Sequence, residues 1–259
     1  MARSVFYYHR KRLNNDKYKD EKEEITSIYY LHKGRYGYRR VTAEMKNRGY
    51  SINHKTVQKL MGTLGLKCNI RKVSYRSYKG EVGKIASNIL ERDFEASLPN
   101  QKWATDVTQM NIKGEKIYLS PIIDMFNGEV ISYSISKSPN MQMIDEMLYE
   151  AFDKVKQTKG IIFHSDQGWQ YQHYGYRNTL KKYGIIQSMS RKGNCLDNAV
   201  AESFFGIMKT ELLYRQSFET AEEFITSLKE YIHYYNNKRI KNRLNGKSPV
   251  EYRALTQKT

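Results

Sequence analysis

WATDVTQMNIKGEKIYLSPIIDMFNGEVISYSIS, residues 103–136, decides the fold. Apolar and β-branched residues recur through it, broken only by short turn signals. Residues 103–112 read as one strand, Lys116–Asp124 as a second and Glu129–Ser136 as a third. Asn127-Gly128 marks a hairpin between the last two, because both residues tolerate positive φ. Downstream the pattern alternates. A helix is predicted over Met141–Lys156 after Pro139, a strand over Gly160–Ser165 and a helix over Tyr171–Tyr183 stopped by Gly184. A strand over Ile185–Met189 and a helix over Asp197–Leu213 follow. A further helix, Ala221–Asn237, and a basic tail complete the chain. Antiparallel strands leading into alternating helices and strands predict an α/β fold, a mixed sheet flanked by helices.

Upstream the character is helical and basic. Residues 1–20 read as a short helix or loose arm. A helix is expected over Glu23–His32, with Ile25, Ile28 and Tyr29 on one face, and another over Val41–Arg48, stopped by Gly49. Between them lies a glycine-punctuated basic turn containing Arg39 and Arg40. A third helix starts after Asn53, a good N-cap. Its Val57, Leu60, Met61 and Leu64 share one face, leaving Lys55, Gln58 and Lys59 to solvent or DNA. Short helices with tight turns and a basic last helix suit a helix-turn-helix-like DNA-binding unit; a small bundle with a solvated face has the same pattern. Residues 67–80, with Arg71 and Lys72, read as a basic linker, and 84–95 as one more helix before Pro99. The division expected is 1–80 and 81–259.

The 259 residues carry 44 Lys plus Arg against 27 Asp plus Glu, a net charge of +17 that selects polyanionic partners, nucleic acid first. The 22 tyrosines interleaved with those cations suit contacts to backbone and bases. Cys68 and Cys195 form no CxxC pair, which argues against a disulfide framework or a cysteine zinc site. No run approaches a membrane span, and no apolar core marks a signal peptide. A cytoplasmic location, with no membrane partner, is expected.

Three carboxylates carry the chemistry: Asp106 in the first strand, Asp166 at the end of Ile161–Asp166, and Glu202 on a predicted helix with 35 residues between it and Asp166. Aspartate is depleted in strands, so Asp106 asks for a reason. Asp166-Gln167-Gly168 also fits a plain turn, and Glu202 a surface ion pair. Clustered carboxylates repel unless a cation arrives, and hard divalent ions take carboxylate oxygens. Two such ions can activate an attacking oxygen and neutralise a leaving one in phosphodiester chemistry. Lys209, seven residues after Glu202, shares its helical face. Asp124, before the Asn-Gly turn, reads as structural, Trp103 as core, and His164 as a strand histidine satisfied by a neighbour or shaping the site.

The stretches Trp103–Thr108, His164–Gly168 and Asp197–Phe205, with Lys209, resemble the D,D(35)E transposase and retroviral integrase superfamily. More narrowly they resemble the downstream-frame, catalytic subunit of bacterial insertion-sequence transposases. Tyr234-Tyr235-Asn236 with Arg239 and Ser248-Pro249 resembles the C-terminal signature. Gly34–Gly37 and Val57–Leu66 resemble the upstream helix-turn-helix-like segment. The resemblance implies a ribonuclease H-like integrase catalytic core. It implies Asp106, Asp166 and Glu202 as catalytic and metal-binding residues for two Mg²⁺ or Mn²⁺ ions, and Lys209 on DNA. It further implies cleavage at element ends, strand transfer into target duplex, self-association on DNA, an upstream-frame partner protein and a bacterial nucleoid setting. A nuclease that cuts without joining and a non-catalytic DNA-binding regulator are the competing expectations.

Overall fold

The computed structural model describes Arg3, Ser4 and residues 16–68, 85–191 and 195–256. The expected linker contacts Arg71 and Lys72 lie outside them. Two compact units form, Met1–Asn69 with Lys241–Gly246, and Ile70–Ile240 with Lys247–Thr259.

In the first unit α1 spans Lys19–Leu31, α2 Tyr38–Asn47 and α3 His54–Thr63. Of the faces predicted from spacing, Ile25 and Ile28 of α1 and Val57, Leu60 and Met61 of α3 are buried, whereas Tyr29 is half-buried and Leu64, at the cap just past α3, is 36% exposed; α2 buries Val41 and Met45. Asn53 caps α3 by accepting the Lys55 N–H at 2.8 Å, an arrangement that stabilises a helix by about 1 kcal/mol. Gly37 closes against Cys68, whose Sγ would lie 2.9 Å from an added Cβ. The turn Asn242–Leu244 packs with this unit, and the Asn47 amide donates to the Gly246 carbonyl at 2.9 Å.

In the second unit the strands are β1 Lys102–Thr105, β2 Thr108–Ile112, β3 Glu115–Asp124, β4 Val130–Ser136, β5 Ile162–Ser165 and β6 Ile186–Met189. The helices are α4 Met141–Lys154, α5 Trp169–Gln172, α6 Tyr174–Lys182, α7 Ala199–Met208, α8 Ala221–Asn237 and α9 Pro249–Thr256. β2, β3 and β4 are antiparallel neighbours, β1 lies between β3 and β5, and β1, β5 and β6 run parallel. The mixed α/β sheet flanked by helices expected from the sequence is the architecture formed.

The single strand predicted over 103–112 is two. Trp103 pairs with Asp124 and Thr105 with Ile122; beyond the break Thr108 pairs with Leu119 and Met110 with Ile117, in the same register. That register sets Pro121 opposite Asp106. Proline has no N–H to give a ladder, so pairing lapses where Asp106 and Val107 lie.

The sheet buries both faces. On one side Met110, Ile112, Ile117, Leu119 and Ile123 meet Phe204 and Met208 of α7 and Phe224, Leu228 and Ile232 of α8. On the other, Trp103, Ile122 and Phe163 meet Met147 and Leu148 of α4 and Tyr176 and Leu180 of α6.

Three further expectations are corrected. Residues 85–95 form no helix, because Glu91 and Arg92 adopt left-handed φ of 45° and 69°. The helix predicted over Tyr171–Tyr183 is α5 plus α6, parted at His173 (ψ 140°). The basic tail contains α9. Ser248 and Glu251 exchange bonds across its first turn, 2.8 Å from the Ser248 N–H to Glu251 and 3.4 Å from the Glu251 N–H to Ser248 Oγ, with Pro249 at the first helical position.

Candidate active site

Asp106 immediately follows β1 and Asp166 immediately follows β5, the adjacent parallel strand. Each carboxylate accepts a hydrogen bond from nearby main chain: Asp106 from the Val107 N–H and Asp166 from the Gly168 N–H, both at 2.8 Å. Gly168 makes that approach feasible, since a Cβ there would sit 2.9 Å from Asp166 Oδ1 and 2.6 Å from the Gln170 amide nitrogen.

The Asp166 charge acts on Asp106. Burial pushes the Asp106 carboxyl well above the usual carboxylate range, and the Asp166 charge pushes it the same way. The Val107 N–H opposes, Glu202 adds a smaller push upward, and Lys209 pulls down. Asp166 is raised by burial, against the Gly168 N–H. By exposed area both side chains are only half-buried, so each is densely surrounded yet retains an open edge.

Glu202 lies one turn into α7, whose Ala201, Phe204, Phe205 and Met208 face the core. Lys209 begins a π-helical turn, Lys209–Leu213, rather than extending α7. The structure therefore sets Asp106 within electrostatic reach of Asp166, Glu202 and Lys209. Among the described residues no three His, Cys, Asp or Glu side chains are gathered into a group that could hold a metal ion as it stands, and Glu202 acts on Asp106 more weakly than Asp166 does. The donor set still fits a divalent cation: oxygen donors only, two of them raised by burial and one also by mutual repulsion, both effects that a cation reverses.

His164, Trp103 and Asp124 are committed to structure. His164 is fully buried between Ser188 Oγ at 2.9 Å and Ser190 Oγ at 3.1 Å, and burial lowers it to about 4. Trp103 is buried edge-on against Phe163. Asp124 accepts from the Asn100 and Phe126 N–H groups and from Arg253 of α9 at 2.6 Å. Trp169, three residues past Asp166, is 55% exposed.

Of the expected DNA contacts, Lys55 and Lys59 lie exposed on α3 beside the buried face. Arg39 is exposed on α2, and Arg40 donates to the Arg35 carbonyl at 2.7 Å and lies over the Tyr36 ring.

Family comparison agrees with this geometry. An integrase core domain model matches residues 96–195, a second integrase core domain model 202–256 and an HTH-like domain model 17–73. InsK of insertion sequence element IS150 from Escherichia coli strain K12 is 55% identical over 257 residues, 99% of this chain and 91% of that one. The chain belongs to the bacterial insertion-sequence transposases with an integrase core. The transposase for insertion sequence element IS904 of Lactococcus lactis subsp. lactis is 36% identical over 89% of this chain and 92% of its own. Among solved structures, the HTLV-2 integrase catalytic core domain in complex with magnesium, in its trimeric form, aligns with a TM-score of 0.48 at 21% identity, over 61% of this chain and 98% of that one. This transposase is a DDE-type polynucleotidyl transferase. Its fold is the integrase core with an N-terminal helix-turn-helix-like region. Among the described residues no helix is long and apolar enough to cross a membrane.

Proposed function

We propose that this transposase cuts DNA at the ends of its own element and joins the freed 3′-hydroxyls to target duplex, with Asp106, Asp166 and Glu202 as the catalytic and metal-binding residues. The observation that carries the reading is the pair of aspartates ending adjacent parallel strands, each raised by burial, with Glu202 and Lys209 acting on the same carboxyl. Divalent Mg²⁺ or Mn²⁺, two ions when bound, would polarise the scissile phosphate and make water or a 3′-hydroxyl nucleophilic at neutral pH.

The protein's share is placement. Asp106 and Asp166 supply oxygens from rigid strand ends, and Glu202 closes the set from α7. Lys209, on the same side, binds a DNA phosphate near the scissile bond. In the first step water attacks phosphorus and the 3′-oxygen leaves as a hydroxyl. In the second that hydroxyl attacks a target phosphodiester in line, one P–O bond forming as another breaks. No covalent bond to the protein is needed.

The N-terminal unit, with Arg39, Arg40, Lys55 and Lys59, and the linker with Arg71 and Lys72, grips the element ends. Residues 1–80 are then the DNA-reading region and 81–259 the catalytic region. Two ends must be processed together, so the working form self-associates on DNA, alone or with the upstream-frame protein of the same element, at the nucleoid in the cytoplasm.

The experiment is an end-joining assay on an oligonucleotide bearing the element's terminus with Mg²⁺ or Mn²⁺. Metal-dependent joined products support the proposal. Cleavage without joining points to a nuclease, and metal-independent binding with no product, even after adding the upstream-frame protein, to a regulator.

A further inference from the structure

Asp197 is 1% exposed and accepts five hydrogen bonds. They come from Asn88 Nδ2 at 3.1 Å, Arg92 Nε at 2.9 Å, and the Arg191 N–H, Nε and Nη2 at 3.0, 2.8 and 2.9 Å. Two segments, residues 88–92 and Arg191, thus converge on one carboxylate in the turn Cys195–Asn198, directly before α7. The hydrogen bonds from Arg191 hold this carboxyl far below the usual range, against burial. The cover is thin, since the Arg92 and Arg191 side chains remain 45% and 57% exposed.

The same turn touches both strands that end in the aspartates. Asn198 Nδ2 donates to the carbonyl of Thr105, the residue before Asp106, at 3.2 Å. The Asp197 main chain and carboxylate both act on His164, two residues before Asp166. On the far side Asn88 Oδ1 accepts the Glu91 N–H at 3.0 Å. Glu91 and Arg92 hold left-handed backbone there, a conformation that persists only where the surroundings over-determine it.

The apolar face of α7 already fastens that helix to the core. What the Asp197 contacts add is a fixed azimuth and height for its first turn, where Glu202 lies. We propose that Asp197 is a positioning residue for Glu202: the arginine-bound carboxylate clamps the start of α7 against the ends of β1 and β5, so that Glu202 meets Asp106 and Asp166 when metal binds. This rests on the catalytic role proposed for the three carboxylates. Misplacement of a reacting group by about 1 Å costs on the order of a hundredfold in rate.

The test compares wild type with Asp197→Asn and with the double variant Arg92→Gln/Arg191→Gln, whose changes fall on half-exposed side chains and leave amides that can still donate to the carboxylate; the thermal midpoint reads any loss of fold. For each, the joining rate at saturating DNA, its Mg²⁺ half-saturation, DNA affinity, Mn²⁺ affinity without DNA and the thermal midpoint are measured. The expected result is a joining rate down about 10–100-fold, a raised Mg²⁺ half-saturation and weakened Mn²⁺ binding, with DNA affinity unchanged. Wild-type joining with both variants matching it in rate and metal dependence overturns the inference alone. So does a loss that follows the folded fraction with Mg²⁺ half-saturation unmoved. A wild type that neither cuts nor joins, even with the upstream-frame protein added, overturns the catalytic reading itself.

Discussion

Asp106 and Asp166 stand opposite one another in the register that pairs β1 with β5: Ala104 lies opposite His164, and each aspartate comes two residues later. Both strands end one residue before their aspartate. The carboxyls thus emerge where the ladder stops, on a backbone that the ladder has already aligned. Pro121 of β3, opposite Asp106 in the register, contributes to that stop by offering no N–H.

Gly168→Ala tests how closely the main chain must approach Asp166. The added Cβ meets Asp166 Oδ1 at 2.9 Å and Gln170 at 2.6 Å, and backbone φ is ordinary there. The Gln170 side chain can swing aside, but the carboxylate must turn. The expected outcome is a joining rate down about 10–100-fold with little change in thermal midpoint, read from single-turnover joining and a melting curve.

The α3 lysines test the DNA-reading assignment. Lys55→Gln/Lys59→Gln removes two exposed cations without touching Val57, Leu60 or Met61. Affinity for duplex should fall uniformly across sequences, and the slope of log K against log salt should shrink by about 2. An unchanged slope in a salt titration would place the DNA elsewhere.

His32 gives the N-terminal unit an acid sensitivity. Burial holds it down to about 4, with Arg48, Arg40 and Arg35 helping and Glu44 opposing, and it stacks on Tyr36 at 3.8 Å. The folded form therefore resists protonation, while the unfolded form takes a proton near 6.5. The stability this group contributes is complete above about pH 6.5 and is lost as pH falls toward 4. An NMR titration of the His32 ring should show its midpoint near 4; a midpoint near 6.5 would contradict the burial argument.

Glu211 and Arg239 lock the π turn after Lys209 to the end of α8. Arg239 Nε and Nη2 donate to Glu211 at 2.8 Å each, Tyr231 adds a third bond at 3.1 Å, and both charged residues are buried. Arg239→Met leaves a buried carboxylate without its cation and should cost about 3–5 kcal/mol in chemical denaturation. Glu211→Leu/Arg239→Met should recover much of that loss.

The elements legible in the sequence are those whose periodicity is also their packing. The α3 face of Val57, Leu60 and Met61, the span of α8 and the order of the strands all follow from spacing. The break at Asp106 was not legible, because it arises from Pro121 on another strand. Residues 84–95 carry helical residues, yet Glu91 and Arg92 turn left-handed and Asn88 satisfies the Glu91 N–H. The α9 helix did have a local signal, Ser248-Pro249-Val250-Glu251, a capping box with proline at its first position. Asp106, Asp166 and Glu202 stood out by residue type and spacing. The role of Asp197 depends on Arg92 and Arg191, which only tertiary structure brings to it.

The most direct measurement of the central claim is end-joining by Asp106→Asn, Asp166→Asn and Glu202→Gln beside wild type, with DNA affinity measured on the same preparations. Joined product should fall by about a thousandfold or more in each, with affinity for the element end retained. Normal joining by any one of the three would remove that residue from the catalytic set and contradict the account.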